Sequence, residues 1–589
     1  MHNQRLVKQC RQGQKMNKSA ILHIPMSEYA YALDESHVVF RLRTAREDIE
    51  KCYLYYGDRA CRHTPVPFTQ VQMELVAQSD LFDYYEVKLN SPYQRVCYYF
   101  HLESKGESTL YYGDMFMDEC VDDRCEYYQF PFIHRADIIT LPKWTEQAVV
   151  YNIFPDSFAS DRRYISGEGE EISYKGTTVR GKHGGTIYGI MKNVDYFLEL
   201  GINVVYLNPI FAAGEYHKYD LVDYFHIDPC FGTDDDFKKL VQVLHENNIK
   251  IIIDGVFNHC GWNFFAFDDV VENGENSIYK DWFYDLTFPV IKPDSWEEYP
   301  NYSCFAYERK MPKLNTNHPQ LMEYFGKVCK HWITEFQIDG WRLDVANEVN
   351  DDFWRMFYKA AKEEKADILI IGEVWESANH WLEKGIFDSA MNYDLRKHTR
   401  RFFAEEEIDA AEFDARVTNM RMRYREQTAM AQLNLLDSHD VSRFLSLCQG
   451  DRGKLELAVL FQMTFIGMPC IFYGDEQGIE GMKEDGYRQP MYWKDNNRLF
   501  DFYQKVISLR KSHKSMQSGG FRTIKADKNS KVYIYERYLE EEVIRIILNM
   551  EYDDIGMEDI QEEQVLLEKE RAGNRLGPKG FVVYSIKNK

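Results

Sequence analysis

The stretch FQIDGWRLDVANEV, residues 336–349, decides the fold. Its centre, Ile338 to Leu343, is written like a buried strand, yet it carries Asp339, Arg342 and Asp344. A parallel strand covered on both faces should read as Val, Ile and Leu. Charges in such a place are costly unless they are paired or used in chemistry. Arg342 and Asp344 are two residues apart, so on a strand they share one face. The stretch therefore predicts a buried strand whose end delivers a cation and a carboxylate to one place.

Similar runs recur on either side. VVYNIF (149–154), INVVYLNP (202–209), IKIIIDGVFNH (249–259), DILIIGE (367–373), FDSAMNY (387–393), AQLNLLDSHD (431–440) and GMPCIFYGDE (467–476) are short apolar strands. Helical stripes separate them. One carries Ile190, Val194, Phe197 and Leu198 and stops at Gly201; another follows a Thr233 cap with Phe237, Leu240, Val241 and Leu244; a third carries Phe353, Met356, Phe357 and Ala360. Eight strands alternating with helices predict a closed (β/α)8 TIM barrel. The segment from His259 to about Pro319 is too long for a plain loop and is expected to be a small inserted domain after strand three.

Residues 20–130 instead alternate short Val, Tyr, Phe and Leu runs with turn signals (HVVFRLRT, KCYLYYGD, YYEVKL, VCYYFHLE), the pattern of a β-sandwich. SKVYIYERY, VIRIILNM and GFVVYSI return to strand writing at the end. The expected organisation is a disordered extension over 1–15, an N-terminal β-sandwich over 16–135, the barrel over 136–513 with its insert at about 260–318, and a C-terminal β-domain, expected as a sandwich, over 514–589.

Composition narrows the partners. The 589 residues are 44% hydrophobic and 28% charged, a globular balance for two to four domains. A formal net charge of −23 argues against nucleic acid or an anionic membrane surface as partner. No run is long and apolar enough to span a membrane, and MHNQRLVKQCRQGQKMNKSA lacks the apolar stretch of a secretory signal. The 12 Cys are scattered; Cys120 and Cys125 are the one close pair and suit no common zinc spacing. Free thiols in a reducing cytoplasm are the expectation.

Asp254, Arg342, Asp344, Glu373, His439 and Asp440 all fall at C-terminal ends of predicted barrel strands, the face on which barrel active sites are built. One such residue alone could be a helix cap or a loop ion pair; six on one rim are harder to dismiss. Glu373 follows Asp344 by 29 residues, one helix plus one strand, so the two sit on neighbouring strands roughly 4.8 Å apart. Retaining glycosidases need their two carboxyl groups about 5–5.5 Å apart, and inverting enzymes need more. Asp344 is thus read as nucleophile, kept ionised by Arg342. Glu373 is read as general acid and then base, with a raised pKa, and Asp440 as a holder of sugar hydroxyls at the transition state. His259 and His439 are read as donors to the same sugar; the alternative for each is a satisfied structural histidine.

DGVFNH (254–259), GWRLDVANEV (340–349), GEVW (372–375) and LLDSHD (435–440) resemble, in order and spacing, the four signature regions of the α-amylase family, glycoside hydrolase family 13. MPKLN (311–315) resembles the additional motif of its neopullulanase, cyclomaltodextrinase and maltogenic amylase branch, and YLNPIF, HKYD and MNY also match. The resemblance implies the same roles for Asp344, Glu373 and Asp440. It adds Tyr219 as a stacking platform, His217 and Asp254 as supports, Trp375 on the leaving-group side, and Asn347 and Glu348 as shapers of acceptor binding. Core packing is the alternative for Trp375.

Two departures from the family pattern carry expectations. Calcium-binding members read roughly Phe-Ala-Asn-Gly and later Gly-Gly-Asp, where this chain has FASDRR and Gly184, Gly185, Thr186. Loss of that anionic ligand predicts that this calcium site is absent or weak, with no cofactor. No Trp precedes Trp144, which excludes a Trp-based starch platform on the N-terminal domain. In this branch that domain commonly helps build a homodimer with a narrowed cleft. The resemblance implies a cytoplasmic retaining hydrolase of α-1,4 bonds in cyclodextrins, maltooligosaccharides and pullulan, with α-1,6 cleavage and transglycosylation left open. Alternatives are an α-1,6-glucosidase or glucanotransferase of the family, or a silent glucan-binding relative, which would have lost one of Asp344, Glu373 or Asp440.

Overall fold

The structure, a computed structural model, describes residues 15–160, 169–295, 297–494 and 497–586. Residues 1–14 of the expected extension, and Asp161 onward in FASDRR, lie outside the described residues. The chain divides into two compact units.

The larger unit is built on eight parallel strands: β1 (Val150–Ile153), β2 (Val204–Leu207), β3 (Lys250–Gly255), β4 (Gly340–Leu343), β5 (Leu369–Gly372), β6 (Ser389–Ala390), β7 (Leu433–Leu435) and β8 (Met468–Phe472). They hydrogen-bond in the order β6-β5-β4-β3-β2-β1-β8-β7. A parallel bridge from Met391 to Leu433, with Asn392 N–H donating to Leu433 O at 2.8 Å, joins the two ends and closes the ring. Val150, Val204, Tyr206, Ile252, Leu369, Ile371, Leu433 and Met468 fill its interior, the layered packing expected of a barrel.

The helices follow the local sequence. Thr233 caps the helix Asp234–Glu246 through a reciprocal bond with Asp236, and Phe237, Leu240, Val241 and Leu244 are its buried face. The stripe before Gly201 needs correction. It is split at Asn193 into Ile187–Lys192 and Val194–Leu200, and Leu198 is 43% exposed while Leu200 is buried. One residue past the inward-facing Phe197, Leu198 is rotated by about 100° away from the core. Gly201 ends the second helix in the left-handed region at φ 91°.

The excursion after β3 carries the helix Phe265–Asn273 and returns to the rim through bridges His259–Lys313 and Phe283–Leu314, before helix Pro319–Phe336 leads into β4. At the C-terminus the expected β-domain is a six-stranded sheet in which Val565–Ala572 lies off the main strand path. Arg575–Ile586, 12 residues long, pairs antiparallel with Glu542–Asn549, Ile555–Gly556 and the bulged Val565–Ala572.

The smaller unit groups residues up to Thr140 with 409–429 and 522–530. Two antiparallel sheets, one containing His37–Ala45 and Phe82–Asn90 and the other Lys51–Asp58 and Val96–Ser104, enclose Val38, Phe40, Leu54, Tyr98 and Phe100. Helix Ala410–Met422 joins this unit: Arg41 donates to Met422 O at 3.0 Å and Tyr424 O at 3.3 Å. Among the described residues no helix is long and apolar enough to cross a membrane.

Asp339, at the foot of β4, explains how a charge is tolerated there. His245 Nε2 lies at 2.7 Å, Lys365 Nζ at 2.8 Å, Lys250 Nζ at 3.0 Å, and Ile251 N–H donates at 3.0 Å. Burial works against the charge, yet the bond from His245 and the charge of Lys365 hold the carboxyl below the usual aspartate range. A depressed native pKa stabilises above the unfolded value and is lost as pH falls below it. Asp339→Asn should therefore unfold in less urea at pH 7, by about 2 kcal/mol given partly exposed partners. The gap from wild type should narrow at pH 3; a gap independent of pH would refute the electrostatic account.

Candidate active site

Strand register builds the site in layers. Ile252 pairs with Gly340 and Gly340 with Leu369; Asp254 pairs with Arg342 and Arg342 with Ile371. One step further, beyond the Leu343–Gly372 pair, Asp344 meets Glu373. Leu343 O accepts from Glu373 N–H and Gly255 O from Asp344 N–H, both at 2.9 Å. Gly340 sits beneath because a Cβ there would come within 3.0 Å of Ile252 and the Leu369 carbonyl.

Arg342 is fully buried and serves three carboxyl groups. Its NH1 donates to both oxygens of Asp254 and to Asp344 Oδ1 at 2.9 Å, and its NH2 lies 2.9 Å from Glu373 Oε1 as an ion pair outside hydrogen-bond alignment. Its Nε faces the Met391 sulfur at 3.2 Å. Asp254 is the structural member, since Tyr206 OH donates to it at 2.9 Å and Tyr219 OH at 3.2 Å.

Glu373 also accepts from Trp375 Nε1 at 2.9 Å and from Val345 N–H at 2.9 Å. Val345 presents that N–H from a left-handed conformation, φ 45° and ψ 45°, which a β-branched residue rarely adopts. Trp375 is 50% exposed and stacks on Tyr393 at 4.5 Å, which rules out the core-packing alternative.

The sequence reading has Arg342 keep Asp344 ionised; the shift at Asp344 is instead upward. Burial first, then the charge of Glu373, push it well above the usual range, while Arg342 pulls it down. Glu373 has two N–H donors besides the guanidinium, and among the described residues Asp344 has Arg342. Asp440 moves the other way. Burial opposes its charge, but His439 at 2.9 Å, Arg342 and Arg488 hold it below the usual range.

His217 and His259 are neutral supports. Tyr219 N–H donates to His217 Nδ1 at 3.1 Å, which leaves the proton on Nε2; burial, then Arg488, bring His217 down to about 4. Burial, then Lys313, bring His259 down to about 3, and its Nε2 is buried without a protein partner while its ring stacks on Phe305 at 4.9 Å. His439 stacks on Tyr219 at 5.5 Å; its Nε2 faces Tyr219 OH and Asp440, and its Nδ1 faces Asn208 at 2.9 Å. Donation to a sugar would require Nε2 to exchange one of those partners. Tyr219 itself is nearly buried, with His439 against its ring.

Asn347 and Glu348 are exposed on the turn Ala346–Glu348, and Lys313 of MPKLN binds Glu348 Oε2 at 3.0 Å. Thr186 caps helix Ile187–Lys192 by accepting from Gly189 N–H at 3.0 Å. Sequence reasoning missed Arg488. It donates to His439 O at 2.7 Å, meets Asp440 at 3.3 Å and Glu484 at 2.6 Å, and lies over Phe154. Its only early signal was a position beyond the last strand, on the rim where the carboxylates gather.

A closed parallel barrel with carboxyl groups gathered on its C-terminal rim defines a class of barrel enzymes that work by carboxyl chemistry. The family profile described as "Alpha amylase, catalytic domain" matches residues 152–498, and "Alpha amylase, N-terminal ig-like domain" matches 16–134. The chain belongs to the alpha-amylase family. It is 39% identical to a cyclomaltodextrinase of Geobacillus thermopakistaniensis over 97% of this chain and 100% of the relative. It is 42% identical to neopullulanase 2 of Thermoactinomyces vulgaris over 90% of each chain. A solved cyclomaltodextrinase structure matches with a TM-score of 0.87 and 37% identity, covering 97% of this chain and 98% of that one.

Arg342→Lys tests the three-way clamp. A single ammonium cannot reproduce the fork, so kcat/KM should fall about 100-fold or more with far-UV circular dichroism unchanged. Activity within a few-fold of wild type would show that the charge alone suffices.

Proposed function

We propose that this chain is a retaining α-glucan hydrolase that cleaves α-1,4-glucosidic bonds of cyclodextrins, maltooligosaccharides and pullulan. The observation that carries the reading is the Asp344–Glu373 pair, side by side on adjacent strands beneath one guanidinium. Relatives named cyclomaltodextrinase and neopullulanase supply the substrate class.

In the first step an Asp344 oxygen bonds to the anomeric carbon as the glycosidic C–O bond breaks, and Glu373 gives its proton to the departing oxygen. In the second step Glu373 takes a proton from water, whose oxygen bonds to the anomeric carbon and displaces Asp344. Two inversions return the α configuration. The reaction needs one proton on the pair, carried by Glu373 while Asp344 is the anion. Arg342 supports that state by favouring charge on Asp344. Asp440, held ionised, accepts hydrogen bonds from sugar hydroxyls and offsets positive charge developing on the ring. Trp375 and Tyr393 form the rim on which a leaving glucose packs, and Asn347 and Glu348 face the acceptor. No cofactor takes part in this scheme. A homodimer with a narrowed cleft and a cytoplasmic location belong to the same proposal and rest on the sequence.

The deciding experiment compares wild type with Asp344→Asn on β-cyclodextrin, pullulan and soluble starch, with proton NMR of the first reducing end. Expected are fast cyclodextrin opening, a first-formed α anomer, and a loss in the variant on the order of 10⁴-fold or more. A first-formed β anomer would overturn the double displacement. Strong starch cleavage without cyclodextrin activity would overturn the substrate assignment.

A further inference from the structure

The insert after β3 shows two large rings to solvent. Tyr299 is 84% exposed and Tyr307 85%, and neither makes a hydrogen bond or ring contact with another described residue. They flank one cleft of about 630 Å³, rimmed by Glu298, Pro300, Glu308 and Arg309. Single exposed aromatics need no explanation, but two lining one concavity do.

The turn bearing Tyr307 is held firmly. Phe305 N–H donates to Met311 O at 3.0 Å, Glu308 N–H to Phe305 O at 2.9 Å and Met311 N–H to Glu308 O at 2.9 Å. Ala306 takes a left-handed φ of 49°. Buried Tyr302 donates to Arg309 O at 2.6 Å, and Arg309 donates to Pro293 O at 2.7 Å and Asp294 O at 3.0 Å. The same turn sends Phe305 inward onto His259 and Lys310 to Glu215. The turn bearing Tyr307 is therefore fixed to the rim of the carboxylate site.

We infer that Tyr299 and Tyr307 form a second glucan-binding platform, which holds an α-glucan chain extending outward from the catalytic rim. The inference rests on the α-glucan reading. A glucose unit offers an apolar C–H face and a polar edge, and this cleft offers flat rings bordered by the carboxylates of Glu298 and Glu308. A rigid turn keeps the ordering cost low. A second protein copy is the poorer occupant, because a stable interface covers about 800 Å² per partner with an apolar centre, and here the apolar surface is two rings and a proline.

The test uses the full chain carrying Asp344→Asn, so that binding is read without turnover, in native gels containing long maltodextrin. Adding Tyr299→Ala and Tyr307→Ala should weaken retardation about tenfold, whereas Tyr299→Phe with Tyr307→Phe should keep it. In the active chain the alanine pair should raise KM for long maltodextrin and leave kcat/KM for maltotriose within about twofold. Unchanged retardation, or a parallel fall on maltotriose, overturns the platform; so does a changed elution volume with retardation intact, which would assign the rings to a second copy. Retardation that depends on the tyrosines in a chain that hydrolyses no glucan would uphold the platform and overturn the proposed reaction. Hydrolysis untouched by the alanine pair on every chain length would overturn the platform alone.

Discussion

Everything at the catalytic rim hangs on one buried guanidinium. Arg342 is fully buried, so its charge is compensated by Asp254, Asp344 and Glu373. Removing water from so many charges is expensive, and an apolar cluster of the same size would serve stability at least as well. What the cluster gives is position. A planar fork fixes its partners in direction as well as distance. Asp254, tied in turn by two tyrosine hydroxyls, fixes the fork. The carboxyls outnumber the cations, and burial and partners shift them unequally: Asp344 is pushed above the usual range and Asp440 is held below it.

A second constraint acts on the backbone. A parallel ladder lets Asp344 and Glu373 meet, but the chain must then leave β4 at once. It does so through Val345, whose left-handed conformation costs on the order of 1–3 kcal/mol. Glycine would relieve that strain but would let the peptide swing. A valine locked there holds its N–H on Glu373, and the next residues turn Asn347 and Glu348 to the surface. Strain and site geometry meet at the residue after Asp344.

The ring of strands was legible because buried parallel strands are written almost without polar residues, so Arg342, Asp344 and Glu373 stood out against their neighbours. Their pairing was legible because strand spacing is fixed by backbone geometry. Three things were not. The amphipathic count before Gly201 took Leu198 as core, since a stripe read by composition cannot see the break at Asn193 that ends one short helix and starts the next. The upward shift at Asp344 comes from burial and the charge of Glu373, while a backbone N–H that no side-chain pattern reports goes to Glu373. Arg488 reaches Asp440 only through tertiary folding, and nothing in GYRQP marks its partner.

The charge of −23 sharpens what substrate recognition must be. A neutral glucan gains nothing from that field, neither steering nor affinity. It can be gripped only by hydrogen bonds to its hydroxyls and by rings against its C–H faces. On the proposed function the first need falls to the rim carboxylates and to His217 and His259, held at about 4 and about 3. The second falls to Trp375 on Tyr393 and to Tyr219 on His439, each ring backed by another. The barrel spends its rigidity on carboxylates, and the loops above it spend theirs on aromatic faces, which is the division a charged catalyst for an uncharged polymer requires.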